Sequence, residues 1–158
     1  MLTDAGAYAI ALAAIGRSQA FKARAAAVNG SLVLLLGLGV LAEVVRRTLY
    51  GSEPQSLWMI GISVLALVVN VSVLWILRPI QQGEVHLRAT WICTRADVVA
   101  NAGVILSGVI VAVTGLRYAD LVVASAIGVY VIREALEILA EAREAGARIS
   151  AETPRGIQ

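Results

Sequence analysis

Residues 57–77, LWMIGISVLALVVNVSVLWIL, hold no charged side chain and are interrupted by only three polar ones, Ser63, Asn70 and Ser72. About 20 apolar residues are what a helix needs to cross a hydrocarbon core roughly 30 Å thick. Three other runs read the same way, Ala25–Val45, Thr90–Val113 and Tyr118–Leu139, and a shorter one covers Met1–Gly16. The whole chain agrees: of 158 residues, 59% are hydrophobic and 15% charged, with a mean hydropathy of +0.81. Soluble domains carry nearer 25% charge. One soluble core has no room for so much apolar surface, so the expected fold is an all-α membrane protein, a helical bundle of about five transmembrane segments. Short connections, with Gly51-Ser52-Glu53-Pro54 as the evident turn cluster, leave no space for a second domain. The expected organisation is therefore a membrane domain over residues 1–145 and a short tail over 146–158.

Composition also excludes other classes. The 13 basic residues are scattered between apolar blocks, which speaks against a nucleic-acid surface. A single cysteine, Cys93, rules out an internal disulfide framework and any CxxC motif. Asp4 stands where a secretory signal would carry Lys or Arg.

Orientation follows from basic residues in the short connections. Arg17, Lys22, Arg24, Arg78, Arg88, Arg143, Arg148 and Arg155 fall on one side, against Arg46, Arg47 and Arg117 on the other. The first side is expected to be cytoplasmic and to hold the C-terminus, in a cell (inner) membrane. Five crossings then put Met1 outside, and Asp4, 13 positions before Arg17, lies about 20 Å above the cytoplasmic border. That leaves about 10 Å of a 30 Å core uncrossed, so the chain is expected to start within its first helix, with something missing upstream.

Two acids share this depth. Asp97, nine positions after Arg88, lies about 14 Å deep by the same rise. A carboxylate costs about 2.5–3.5 kcal/mol at mid-membrane on insertion scales, so two at similar depth suggest a shared cation or proton site; the plainer reading of either is a hydrogen-bonded or protonated acid in the bundle interior. Cys93 and Asn101 lie four residues to either side of Asp97, on its helical face. Thiolate and carboxylate at this spacing both reach one divalent ion, and sulfur favours zinc or cadmium over magnesium. On spacing alone, Cys93 reads more readily as a small packing residue. Arg95 is about 200° around the helix from Asp97, so it snorkels or pairs elsewhere.

The remaining polar residues have structural readings. His86, beside Glu84, is expected to be a solvated loop histidine, with a metal entrance as the alternative. Asp120 is expected to cap the last helix, and Asn29 and Asn70 to hydrogen-bond to neighbouring helices. The pairs Gly103–Ser107, Gly108–Ala112 and Ala124–Gly128 predict close helix approach. From Arg133 through Glu144 the charges continue the last helix into water. An intramembrane hydrolase lacks any supporting context around the two aspartates, and no enzyme activity is expected.

The stretch Val85-His86-Leu87-Arg88-Ala89-Thr90-Trp91-Ile92-Cys93-Thr94-Arg95-Ala96-Asp97 resembles the fifth membrane helix of the cation diffusion facilitator (cation efflux) family. Ala26-Ala27-Val28-Asn29 resembles the start of its third helix and Leu67-Val68-Val69-Asn70 its fourth. Gly115-Leu116-Arg117-Tyr118-Ala119-Asp120 resembles the approach to its sixth, and Met1-Leu2-Thr3-Asp4-Ala5 the middle of its second. The likeness is collinear over residues 1 to 145.

The resemblance implies a proton-driven exporter of divalent metals, usually zinc, with six helices and both termini cytoplasmic. It implies a tetrahedral ligand set from an HxxxD or DxxxD pattern on helices two and five, a set suited to zinc. Asp4 and Asp97 match it; Cys93 replaces the fifth-helix histidine, and the other second-helix ligand would precede Met1. The metal-site expectation is thus Asp4, Cys93 and Asp97, with zinc, cadmium or cobalt as transported ion and no tightly bound cofactor. The expected partners are the lipid bilayer, metal ions and protons, with a homo-oligomer, a dimer, or a partner transporter subunit. Family members commonly carry a dimerising cytoplasmic domain after helix six, which this sequence does not reach. The alternative reading is a truncated, non-transporting relative that pairs with a complete transporter or persists as a remnant.

Overall fold

The structure, a computed structural model, describes residues 2–51, 57–115 and 118–152, leaving aside the side chains of residues 2–5, 7, 57–59 and 152. The described residues form five α-helices and a 3-10 turn: α1 (Leu2–Ala14), α2 (Gln19–Tyr50), α3 (Leu57–Leu77), the turn Gln81–Gly83, α4 (Val85–Thr114) and α5 (Tyr118–Glu152). The expected runs Ala25–Val45, Thr90–Val113 and Tyr118–Leu139 are the apolar middles of α2, α4 and α5, whose ends extend them with polar residues. At the corner before α2, Gly16 takes a positive φ and the Ser18 hydroxyl accepts the Phe21 amide at 3.4 Å, satisfying one of the first-turn donors. Gly115, left-handed at φ 69°, closes α4 by giving its amide to the Val111 carbonyl.

Four spans were expected besides the short first run. Among the described residues, three helices are long and apolar enough to cross a membrane: α2, α3 and α4. The apolar stretch of α5 carries Asp120, Arg133 and Glu134, and α1 has 13 residues. Within α5, residues 146–152 continue the helix without a break at 145, while 153–158, including Arg155, and Arg117 lie outside the described residues.

Helix directions follow from paired ends. Lys22 at the start of α2 meets Glu84 before α4, so these two helices run parallel. Arg47 near the end of α2 meets Asp120 near the start of α5, so α5 runs antiparallel to both. Along α2 and α5, a methyl added at Gly30 would stand 2.9 Å from Ile138 Cγ2, and one at Gly37 2.8 Å from Ile132 Cγ1. Gly103 of α4 meets Ile127 of α5 in the same way, and Gly108 meets Ile60 of α3. At Gly103 and Gly108 the expected close approaches are real contacts, and Gly30 and Gly37 add two that the sequence reading did not single out, each made possible by a missing side chain.

Burial is inverted relative to a soluble domain. The buried set is rich in alanine, with Ala14, Ala26, Ala89, Ala96, Ala135 and Ala142 among its members, while Leu35, Leu65, Val68, Trp75, Leu106 and Val122 are exposed. Small residues inside and large apolar ones outside is the arrangement of helices that meet closely while lipid covers their outer faces. A soluble monomer does not expose an apolar surface this continuous.

Candidate metal site at mid-membrane

The core brings Cys93, Ile92, Ala89 and Ala96 of α4 against Ala26 and Val33 of α2 and Ile127, Val131, Ala135 and Ile138 of α5. Cys93 is 8% exposed, so its thiol lies inside the bundle rather than toward lipid. Asp97, one turn further along α4, is partly exposed. Asn101, on the same face, donates its side-chain amide to the Asp97 carbonyl at 2.8 Å, which ties it back to its own helix.

α1 is positioned by one contact. The Tyr8 and Thr94 hydroxyls are 3.1 Å apart, and Thr94, fully buried, lies within hydrogen-bond distance of the Thr90 carbonyl as well. Because the corner at residues 15–18 brings the end of α1 to the start of α2, α1 is antiparallel to α4. Position 4 is therefore four residues, about 6 Å, beyond Tyr8 in the direction in which Asp97 is three residues, about 4.5 Å, beyond Thr94. The two positions share a level to within about 2 Å. The Asp4 side chain lies outside the described residues, and among the described ones no three histidine, cysteine, aspartate or glutamate side chains converge.

Asn29 was expected to bond to a neighbouring helix. It is 3% exposed, and neither its Nδ2 nor its Oδ1 has a hydrogen-bond partner. It stands between Ala26 and Val33 on the α2 face packed into the Cys93 cluster. A buried amide without partners costs about 1–3 kcal/mol. Sequence reading missed this because an amide in an apolar helix looks like packing glue until its neighbours prove to be hydrocarbon.

His86 departs further from expectation. It is the second residue of α4, not a loop residue, and it is 2% exposed. Both ring nitrogens lack a hydrogen-bond partner; the nearest acid is Glu84, with Oε2 3.8 Å from Nδ1. Glu84 is already held by Lys22 at 2.7 Å. The three groups tie the start of α2 to the start of α4. Helix α4 begins earlier than the apolar pattern indicates, which draws the imidazole under the bundle and away from solvent.

Asp120 is not a cap. It is the third residue of α5, and its carboxylate receives Arg47 Nη1 and Ser107 Oγ, each at 2.9 Å. It joins α2, α4 and α5 at the end opposite Lys22. Arg95 pairs away from Asp97, as its angle requires: its guanidinium donates to Glu134 of α5 and stacks 5.0 Å from the centre of the Trp91 ring. Two turns nearer the basic end, Arg88 Nε donates to Glu141 at 2.6 Å, with Glu137 3.5 Å from Nη2. The α4–α5 seam is thus an ionic ladder, and the opposite face of α4 carries the thiol and Asp97.

The family model of the cation efflux transmembrane domain matches residues 18–145. The metal cation efflux system protein CzcD of Cupriavidus metallidurans is 28% identical over 144 residues, covering 84% of this chain and 46% of that protein. A cadmium, cobalt and zinc/H(+)-K(+) antiporter of Bacillus velezensis is 25% identical over 122 residues, covering 75% of this chain and 38% of its own length. A Bacillus subtilis antiporter of the same name is 24% identical over 120 residues, 75% of this chain and 39% of that protein. The chain spans less than half the length of these curated relatives.

Proposed function

We propose that this chain, which belongs to the cation efflux family, carries a divalent cation of the zinc, cadmium and cobalt class across the membrane in exchange for protons. The ion is held at mid-membrane by Asp97 and Cys93 of α4 and Asp4 of α1. The observation that supports this most is the Tyr8–Thr94 contact, which sets α1 and α4 in a register where positions 4 and 97 share a level.

Proton coupling follows from the ligands. A carboxylate and a thiol must both lose protons to bind metal, so a more acidic compartment favours release. A soft sulfur ligand tilts selectivity toward zinc and cadmium over magnesium. Asn29, with its unpartnered amide, supplies a neutral polar contact on the α2 side. The charge count makes the end bearing Lys22, Glu84 and His86 cytoplasmic, and this set lies where an ion would enter.

The test is zinc-for-proton exchange in liposomes. Asp97→Ala abolishes exchange on this reading, with the variant still folded by thermal unfolding in detergent. Exchange that persists in Asp97→Ala overturns it. Absence of exchange and of metal binding by the unmodified chain, with copurification of a stoichiometric larger partner, would favour the role of partner subunit.

A further inference from the structure

At the basic end, a cavity of about 320 Å³ lies between α2 and α5, lined by Ala20, Ala23, Arg24 and Ala27 on one side and by Arg143 and Gly146 among others on the second. Apart from the arginines, Ile149 and Ser150, its lining is alanine and glycine, and a side chain added at Gly146 would meet nothing within 4 Å. The two arginines are both exposed, and among the described residues neither has a hydrogen bond or an ion pair. The contrast is local. Across α5 a second cavity is also lined by two arginines, Arg88 and Arg148, but there Glu141 and Glu144 balance them.

Depth decides what fits. Arg24 immediately precedes the apolar middle of α2, and Arg143 follows that of α5 by four residues, about 6 Å. Both guanidiniums therefore sit at the level of lipid headgroups, while Ala27 leads the cavity into the apolar zone beside exposed Val28. Guanidinium binds phosphate oxygens through paired N–H donors, and the charge count that makes this end cytoplasmic also sets it against an anionic leaflet.

We propose that Arg24 and Arg143 hold the phosphate of an anionic phospholipid, its glycerol and first methylenes lying over Ala23, Ala27 and Ala142. The lipid bridges α2 and α5 across this cavity. The site is separate from the transport site and does not depend on whether the chain carries metal.

The experiment is native mass spectrometry of the detergent-purified chain titrated with phosphatidylglycerol or phosphatidylcholine. One phosphatidylglycerol per chain is expected to bind preferentially. The double variant Arg24→Gln/Arg143→Gln should weaken it about tenfold or more, while Arg78→Gln, an exposed arginine at the same end, should leave it unchanged. Arg24→Lys/Arg143→Lys should recover part of the affinity, since it restores charge without the paired donors. Equal binding of phosphatidylcholine, full retention by the double glutamine variant, or equal competition by free glycerol phosphate would overturn the proposal. So would a dimer that the double glutamine variant dissolves irrespective of lipid, because the groove would then belong to a second copy.

Discussion

The hydroxyls of Tyr8 and Thr94 lie 3.1 Å apart although 86 residues separate them in the chain, and this one contact fixes where α1 stands along α4. Thr94 is fully buried, so the bond forms where water does not compete. Tyr8→Phe is expected to remove about 1 kcal/mol of stability and to loosen the register that brings position 4 level with Asp97. Thermal unfolding should show a modest loss and zinc affinity a larger relative one; Thr94→Val added to Tyr8→Phe should cost little more than either alone.

The Arg95–Glu134 pair should respond asymmetrically to its two deletions. Glu134 has a side chain 9% exposed and Arg95 one 35% exposed. Arg95→Gln strands a buried carboxylate, a situation that costs about 3–5 kcal/mol for fully buried pairs and less here because the arginine is partly open. Glu134→Gln leaves an arginine that keeps its Trp91 stack and can snorkel. The first variant should unfold at clearly lower temperature than the second. Equal losses would mean that the two ends of the pair are equally solvated.

Asn29 makes a prediction of opposite sign for stability and function. Asn29→Leu, close to isosteric, removes two buried atoms that have no partners and should leave stability unchanged or raise it by about 1 kcal/mol. Zinc transport should fall. Stability and transport falling together would indicate a packing role.

Gly30 tests the closeness of α2 and α5. Gly30→Ala places a methyl 2.9 Å from Ile138 Cγ2 and 3.2 Å from its Cβ, too near for a side chain with little room to rotate in a core. The expected cost is about 1–3 kcal/mol. Ile138→Ala in the same chain, which removes the Cγ2 methyl in conflict, should restore part of it, read as a non-additive melting temperature.

The bundle was legible because its signal is thermodynamic and coarse: twenty apolar residues such as Leu57–Leu77 cross a membrane whatever their neighbours. Asp97 stood out as a candidate because a charge at that depth is costly, and the pairing of Arg95 away from it was legible because two residues along a helix point apart. His86 was not, since the first turn of α4, Val85 to Arg88, is as polar as a loop and only packing against Lys22 and Glu84 shows that it is helical and buried. Asp120 looked like a cap because local chemistry suits it, but Arg47, 73 residues away, claims its carboxylate. Asn29 shows the same limit in reverse: an absent partner is a property of neighbours distant in sequence.

Cobalt(II) titration of the purified chain reads the ligand set directly, because a thiolate bound to cobalt gives a near-ultraviolet charge-transfer band and tetrahedral cobalt an intense visible spectrum. The account predicts both signals in the unmodified chain, loss of the charge-transfer band alone in Cys93→Ser, and loss of binding in Asp97→Ala. A cobalt spectrum untouched by either substitution would place the metal elsewhere and contradict the mid-membrane site.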